Sequence, residues 1–214
     1  LFGDLSVIGM RGCEAFATEV DSYLKEWRRH DSEGTFLVEA SCPRFGSGEG
    51  KAVFQESIRG KDLFIIVDVC NHSITYNMNG YTNHMSPDDH YQDLKRIIAA
   101  VGGKARRITV IMPFLYESRQ HRRTSRESLD CALALQELVS MGVDNIITFD
   151  AHDPRVQNAI PLHGFETVQP SYQFIKGLLR NVKDLTIDAD HMMIISPDWD
   201  WHWVLYPVFI VLII

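Results

Sequence analysis

The sequence predicts an α/β fold with a mainly parallel sheet, and two patterns in its 214 residues support this prediction. Short apolar or β-branched runs alternate with longer stretches of helical periodicity, as in chains that build parallel sheets. Two of the runs, residues 63–67 and 108–112, are apolar without alternation, which is typical of central strands covered on both faces. The chain is therefore expected to place helices on both faces of one sheet.

Seven short runs are predicted to form strands, because each is apolar or rich in β-branched side chains. In chain order they cover residues 5–9, 36–40, 51–55, 63–70, 107–112, 145–149 and 192–196. Two longer polar stretches, residues 71–87 and 114–126, follow predicted central strands. Open α/β sheets bind their ligands in loops at the carboxyl ends of strands, so these stretches are the expected location of a site.

Four stretches are predicted to form helices, because their apolar side chains recur every three or four residues. They are residues 13–29, 86–100, 125–141 and a stretch that begins at Pro170. The first is expected to bury an aromatic face made of Phe16, Val20, Tyr23, Leu24 and Trp27. The second is expected to begin at a Ser86 cap, and the third to turn Leu129, Leu133 and Leu138 inward.

The charge balance argues against two broad classes of partner. There are 21 Lys and Arg residues against 28 Asp and Glu residues, so the formal net charge is −7. A chain of this sign has no general attraction for nucleic acid or for an anionic membrane, and neither is expected as a partner. The four cysteines lie far apart without a CxxC pair, which indicates reduced core thiols in a cytoplasmic protein rather than disulfides or a zinc site.

The sequence RQHRRTSR at residues 119–126 is the sharpest local feature, because it places four arginines in eight residues. It follows the predicted strand at 107–112 and is therefore expected at the ligand edge of the sheet. Guanidinium groups form paired hydrogen bonds with phosphate oxygens, so one interpretation is a phosphate site. A solvated basic loop is the other interpretation, and the sequence position leaves the two in balance.

A second cluster, DAHD at residues 150–153, directly follows the predicted strand at 145–149. A histidine and carboxylates at a strand end are able to bind a divalent metal that carries a nucleotide. A lone histidine is more often a structural, hydrogen-bonded residue, so both interpretations stand for His152. Asp198, in the sequence SPD at residues 196–198, is another carboxylate just past a predicted strand.

A third feature is the glycine-rich sequence RFGSGEG at residues 44–50, which joins one aromatic ring to one carboxylate. It has neither the GxxxxGK[ST] spacing of a P-loop nor the GxGxxG of a dinucleotide fold. By itself it predicts only a β-hairpin turn.

The order of motifs along the chain resembles that of the ribose-phosphate pyrophosphokinases. The matching segments are ESIRGKD at 56–62, RIT at 107–109, SRQ at 118–120, SRE at 125–127, NIITFDAH at 145–152 and SPD at 196–198. The resemblance runs from about residue 5 to residue 198, and several motifs in register are far more specific than any one of them.

The resemblance implies a phosphoribosyltransferase-like three-layer fold, with an N-terminal ATP-binding domain at residues 1–170 and the start of a second domain at 171–198. It also implies a reaction, in which the diphosphoryl group of ATP is transferred to ribose 5-phosphate to give phosphoribosyl pyrophosphate and AMP, with Mg²⁺ as cofactor. Such a transfer depends on positioning and charge neutralisation more than on a covalent nucleophile.

The resemblance further implies site residues and a homo-oligomer. Contacts with ATP are expected from Arg119 and Gln120, a magnesium site from His152 and Asp198, and contacts with the ATP of a neighbouring subunit from Phe45, Ser47 and Glu49. Arg119 and His152 are the expected catalytic residues. The chain departs from the family pattern at His121 and Ser47, where the family has aspartates.

The sequence after Asp198 does not resemble the family's ribose-phosphate-binding domain. Residues 199–214 contain three of the four tryptophans and end in an apolar run, and we expect them to be the anomalous tail of a fragment or of a frameshifted end. Two functions remain open: an enzyme of the family in incomplete form, and a non-catalytic nucleotide-binding or regulatory subunit. A simple phosphoribosyltransferase is a weaker third, because its acidic phosphate-loop motif is not found.

Overall fold

A computed structural model describes residues 3–28 and 34–183, and the structural statements below refer to these residues. The chain divides into two compact units, Leu1–Thr167 and Val168–Ile214. In chain order the elements are β1 (Leu5–Gly9), α1 (Glu14–Trp27), β2 (Ala40–Ser41), β3 (Val53–Phe54), β4 (Asp62–Ile66), β5 (Thr75–Met78), β6 (Tyr81–His84), α2 (Pro87–Val101), β7 (Arg107–Met112), α3 (Asp130–Ser140), β8 (Asn145–Phe149), a short 3-10 helix (Pro154–Ala159), β9 (Gly164–Val168) and α4 (Ser171–Asn181).

Five strands form one sheet in the order β1-β4-β7-β8-β9. The pairings of β1 with β4, β4 with β7 and β7 with β8 are all parallel. Leu63 of β4 lies between Ser6 of β1 and Ile108 of β7, so β4 is an interior strand, as its unbroken apolar sequence predicts. The predicted α/β class and parallel sheet are confirmed.

Side chains of β4 alternate between two apolar clusters, one on each face of the sheet. Leu63 and Ile65 belong to the larger cluster, which includes core residues of α2 and α3. Ile66 belongs to the smaller cluster with Ala17 of α1, and Phe64 packs against it. Successive strand residues point to opposite faces, so the helices cover both sides of the sheet as predicted.

Three predicted strands differ from the structure in extent. Residues 36–38 pair with β1 only at Val7, through hydrogen bonds from Val7 N–H to Phe36 O and from Val38 N–H to Val7 O, before β2 begins. The strand predicted at 63–70 ends at Ile66, and the one predicted at 51–55 is reduced to β3. The predicted strand at 192–196 lies outside the described residues.

The apolar stripe predicted for α1 is buried only in part: Val20 and Leu24 pack against the smaller cluster, whereas the aromatic side chains are exposed. Phe16, Tyr23 and Trp27 are 40%, 59% and 77% exposed, whereas Ala17 and Asp21 are buried. The reason is a close approach of helix and strand: a Cβ on Gly9 would lie 2.6 Å from the Cβ of Ala17. Only the side of α1 that carries the small Ala17 side chain fits at that distance.

Helices α2 and α3 follow the prediction to different degrees. Ser86 caps α2 by accepting a hydrogen bond from Asp89 N–H, and the Asp89 carboxylate accepts one from Ser86 N–H, which completes a capping box. In contrast, α3 begins at Asp130, after both Ser125 and Ser128, which were its two possible caps, and Leu133 is 58% exposed. The expectation that Leu133 points inward is therefore wrong.

The stretch at 71–87, predicted to be irregular, contains a β-hairpin. Strands β5 and β6 pair antiparallel, and they are joined by Asn79 and Gly80 with φ of 50° and 84°. Two positive φ values in a two-residue loop are those of a type I′ turn, for which Asn-Gly is the preferred sequence. This dipeptide was a signal available in the sequence.

All four cysteines are free thiols, as expected, but they are not all in the core. Burial raises the pKa of Cys13 and Cys131 to about 11. Cys70 is exposed, so its expected place in the core is wrong.

In the parts of the chain that the structure describes, no helix has the length and apolar character that a membrane crossing requires.

Asp21 connects α1 to the segment that follows it. The carboxylate accepts hydrogen bonds from Phe36 N–H at 2.7 Å and Thr35 Oγ1 at 3.1 Å, and it pairs with Lys25 Nζ at 2.6 Å. Burial raises the pKa of the Asp21 carboxyl, but the bonds from Lys25, Phe36 and Thr35 outweigh it, and the net pKa lies below the ordinary 3.8.

We expect Asp21→Asn to lower the free energy of unfolding by about 1–3 kcal/mol at pH 7, because it removes the charged acceptor. A depressed pKa in the folded state stabilises the protein above the ordinary value, so the difference between wild type and variant should shrink as the pH falls below 3.8. Urea unfolding at pH 7, 5 and 3.5 measures it, with Glu19→Gln on the exposed side of α1 as control. A difference that is constant across this range contradicts the expectation.

Candidate functional site

The candidate site lies at the carboxyl edge of the sheet. Because β4, β7 and β8 are adjacent and parallel, the loops that follow them leave from the same edge. The longest of these, the arginine loop (residues 113–129), connects β7 to α3 and contains the predicted phosphate-binding arginines. The loop after β8 contains His152.

The first turn of the arginine loop is fixed by Tyr116. Its ring stacks on Tyr91 of α2 with centroids 4.2 Å apart, and its hydroxyl donates to Asp88 Oδ1 at 2.7 Å. The hydroxyl of Tyr91 in turn donates to the Ala134 carbonyl of α3 at 2.9 Å. The base of the loop is thus held by both helices that cover this face of the sheet.

Beyond this base the loop exposes its cationic and amide side chains. Arg119 and Gln120 are both exposed, and Gln120 N–H donates to Glu117 O at 2.9 Å. A polar hollow of about 590 Å³ is lined by Glu117, Arg119, Gln120, Arg122, Thr124, Glu127, Ser128 and Asp130. The volume of the hollow lies in the range of small-ligand sites, and the guanidinium groups of Arg119 and Arg122 line it.

The charge of Arg119 acts on Cys70, a residue in the loop that follows β4. Burial and the Asp68 carboxylate raise the pKa of Cys70, and the Arg119 guanidinium opposes that rise. Arg119 follows β7 and Cys70 follows β4, so both residues belong to loops at the carboxyl edge of adjacent strands.

The arginine loop meets the His152 loop through His121. The two imidazole rings have centroids 5.0 Å apart, and His121 Nε2 lies 3.6 Å from Asp153 Oδ2. His121 Nδ1 is buried and has no hydrogen-bond partner among the described residues. The position at which the chain departs from the family pattern is therefore the one that joins the two predicted site segments.

The Asp153 carboxylate is already bound by Arg155, two residues along the chain. The carboxylate accepts hydrogen bonds from the backbone N–H of Arg155 at 2.9 Å and from that guanidinium at 2.6 Å. The Arg155 guanidinium holds the pKa of Asp153 below its usual range. This carboxylate caps the 3-10 helix and is not available as the main metal ligand.

Asp150 differs in both backbone and side chain. Its φ is 47°, in the left-handed region that costs a non-glycine residue about 1 kcal/mol or more and that clusters at functional sites. Burial raises the pKa of its carboxyl, and within the described part of the chain that carboxyl has no hydrogen-bond or ion-pair partner. The sequence analysis selected His152 from this cluster, and the structure adds Asp150 beside it.

Asp150 and His152 are the side chains at this edge of the sheet whose chemistry could suit a magnesium ion. Mg²⁺ prefers oxygen ligands and is usually held by one or two carboxylates together with substrate phosphates and water. The unpartnered Asp150 carboxylate suits that pattern, with His152 two residues away. Across residues 3–28 and 34–183, no three histidine, cysteine or acidic side chains are grouped closely enough to form a metal site by themselves. The residues therefore fit a metal that arrives with phosphate oxygens.

The 44–50 turn belongs to a different segment, between β2 and β3. Phe45 N–H donates to Glu49 O at 2.7 Å and Gly48 N–H donates to Phe45 O at 2.9 Å, so the segment forms the predicted hairpin turn. Phe45 is 53% exposed, and Ser47 and Glu49 are exposed beside it, with the Ser47 hydroxyl donating to Glu49 Oε2 at 2.8 Å. Its packing contacts are with α2 and the β5–β6 hairpin.

Asp198, the last of the predicted site residues, lies outside the described residues.

An open parallel sheet with an arginine loop and a histidine at its carboxyl edge defines an α/β protein with a candidate phosphate-binding site. Comparison with known families is more specific, because the family model described as the N-terminal domain of ribose phosphate pyrophosphokinase matches residues 5–142. The chain belongs to the ribose-phosphate pyrophosphokinase family.

Individual relatives agree with this assignment. A ribose-phosphate pyrophosphokinase from Chlorobaculum tepidum is 30% identical over 196 residues, which are 91% of this chain and 51% of the relative. Ribose-phosphate pyrophosphokinase 1 from Schizosaccharomyces pombe is 35% identical over 126 residues, 58% of this chain and 27% of the relative. The chain spans about half the length, or less, of the curated relatives it matches.

The fold also matches a solved structure. The crystal structure of phosphoribosylpyrophosphate synthetase from Mycobacterium smegmatis superposes with a TM-score of 0.63 at 20% sequence identity, covering 83% of this chain and 52% of that one. At this identity the match establishes the shared fold.

Proposed function

We propose that the protein is a ribose-phosphate diphosphokinase, which transfers the diphosphoryl group of ATP to ribose 5-phosphate. The observation that carries the proposal is the contact between the two predicted site segments at the carboxyl edge of the sheet, where the His121 ring lies 5.0 Å from the His152 ring. The names of the relatives favour the enzyme over a non-catalytic regulatory subunit. Residues 1–170 would form the ATP-binding domain and residues 171–198 the start of the second domain.

The reaction assigns a role to each group. The anomeric hydroxyl oxygen of ribose 5-phosphate forms a bond to the β-phosphorus of ATP and releases its proton to solvent, the bond from that phosphorus to the α,β-bridging oxygen breaks, and AMP leaves. Arg119 and Gln120 would hold phosphate oxygens through charge-assisted and amide hydrogen bonds. His152 would orient the nucleotide phosphates, with Asp150 placed to bind the accompanying cation. Such positioning and charge neutralisation are what phosphoryl transfer needs most.

Magnesium would be held by Asp150 and His152, and by Asp198 if the family pattern extends to it, and it would neutralise charge on the transferred phosphates. The exposed Phe45, Ser47 and Glu49 would contact the adenine of a neighbouring subunit's ATP, which makes a homo-oligomer part of the proposal. We also propose a cytoplasmic location, which the free cysteines support, and no nucleic-acid or membrane partner, which the net charge of −7 supports.

The test is calorimetric titration of the chain with ATP in the presence and absence of Mg²⁺. We expect magnesium-dependent binding that His152→Ala weakens by about tenfold or more, since it removes a hydrogen bond to a charged group. His163→Ala, which changes an exposed histidine after the 3-10 helix, serves as the matched control. Binding that is absent, or equal in all three proteins, would reject the proposed site. Turnover with ribose 5-phosphate must then give AMP and phosphoribosyl pyrophosphate in equal amounts.

A further inference from the structure

The β5–β6 hairpin is not part of the machinery described above, yet it packs directly on the 44–50 turn. We propose that the hairpin positions this turn, holding it in the conformation that presents Phe45 and Glu49 outward. The consequence for nucleotide binding rests on the proposed function, whereas the mechanical role of the hairpin does not. Three separate contacts support the inference.

The first contact joins the two backbones. Asn79 N–H, at the tip of the hairpin, donates to Gly46 O at 2.8 Å. The tip residues of a type I′ turn have left-handed backbone, with φ of 50° at Asn79, and this geometry directs the N–H away from the hairpin's own ladder. The turn therefore gains a hydrogen bond from outside its own sequence.

The second contact is packing of Met78 on Gly48. A Cβ on Gly48 would lie 2.7 Å from Met78 Sδ, so the methionine side chain rests on the bare backbone of the turn. Gly48 has a φ of +90°, a conformation that residues with side chains rarely adopt. Glycine at this position thus satisfies both the backbone of the turn and the space that Met78 occupies.

The third contact passes through Arg44. Its guanidinium lies 4.9 Å from the centroid of the Tyr76 ring, pairs with Asp93 Oδ2 at 3.0 Å and donates to Gly48 O at 3.4 Å. The Arg44 side chain is only 8% exposed. A buried guanidinium requires partners on its edges and faces, and here they come from α2, the turn itself and the hairpin.

None of these contacts uses the exposed side chains of Phe45, Ser47 or Glu49. The turn has only two backbone hydrogen bonds of its own between residues 45 and 49. Short turns with so few internal bonds open at low free-energy cost unless other elements hold them. The hairpin and α2 together supply that support, and Tyr76 and Met78 are its side-chain components.

The experiment compares Tyr76→Leu and Met78→Ala with Tyr81→Leu, which changes a tyrosine of the same hairpin that is 75% exposed. Hydrogen exchange of the amides of residues 45–49 is the first readout. We expect exchange to rise about tenfold in the first two variants, corresponding to the loss of about 1.4 kcal/mol of local stability. Protection in β4 and β7 should stay unchanged, which shows that the fold is intact, and Met78→Leu should restore the wild-type exchange.

The second readout is steady-state kinetics of the proposed diphosphoryl transfer. We expect Tyr76→Leu and Met78→Ala to raise KM for ATP by about fivefold with little change in kcat, since a mobile turn weakens ground-state binding of the base. Unchanged exchange at residues 45–49 would overturn the positioning role. Faster exchange without a change in KM would overturn its consequence for nucleotide binding. A wild-type protein that fails to bind ATP overturns the proposed function instead, and the exchange readout then decides the role of the hairpin alone.

Discussion

Arg119→Ala is expected to weaken binding of magnesium–ATP by about 10- to 100-fold, because a hydrogen bond to a charged group contributes about 1.5–3 kcal/mol. Arg119 is exposed in the polar hollow of the arginine loop, so the loss comes from the ligand contact and not from the core. Arg119→Lys should recover only part of the affinity, since a single ammonium cannot form the paired bonds of a guanidinium. Calorimetric titration measures both variants.

The matched control is Arg106→Ala. Arg106 is an exposed arginine that precedes β7, at the opposite edge of the sheet from the arginine loop. Its replacement changes the net charge by the same amount and should leave the affinity within about twofold, since screened charges at that distance interact weakly. Equal losses in the two alanine variants would mean that the effect is one of overall charge, and the assignment of Arg119 would fail.

Leu63→Ala is expected to lower the free energy of unfolding by about 2–5 kcal/mol, because truncating a buried leucine loses apolar contacts and leaves a cavity. Leu63 has 0% exposure and lies on the interior strand β4, between β1 and β7. Leu162→Ala makes the same chemical change at a side chain that is 91% exposed, and it should alter stability by no more than about 0.5 kcal/mol. Urea denaturation of the three proteins measures the difference.

A small effect of Leu63→Ala, comparable to that of Leu162→Ala, would contradict the interior position of β4. If Leu63→Ala does not yield folded protein, the result agrees with destabilisation but gives no value for the free energy of unfolding. Leu63→Val then supplies the magnitude, since removing one methylene group should cost about 1 kcal/mol.

The parts of the fold that follow from local pattern were predictable from sequence. β1, β7 and β8 have the predicted bounds because their apolar runs are closed on both sides by polar or turn residues. The face of α1 was predicted only in part. Val20 and Leu24 of the predicted stripe pack against the core, but the close approach of Gly9 and Ala17 centres the buried face on Ala17 and leaves the aromatic side chains exposed. That contact depends on where a distant strand places its glycine, which no local pattern contains.

The candidate site divides in the same way. Arg119 and His152 were selected from their motifs and their places after strands, and the structure puts their loops in contact at His121. Asp150 became a candidate only when its positive φ and unpartnered carboxylate were known. The burial of Arg44 likewise depends on the tertiary packing of α2 and the hairpin, so its sequence position alone could not indicate it.

The stacked pair of Tyr91 and Tyr116 reduces the entropic penalty of capturing an anion at the arginine loop. Fixing the backbone of one residue costs about 1–2 kcal/mol, and a loop that had to order along its whole length would lose much of its affinity to that term. Here the residues up to Tyr116 are already held by α2 before any anion binds. A phosphate group therefore has to immobilise only the distal part of the loop, and more of the energy of its contacts with guanidinium groups remains as affinity.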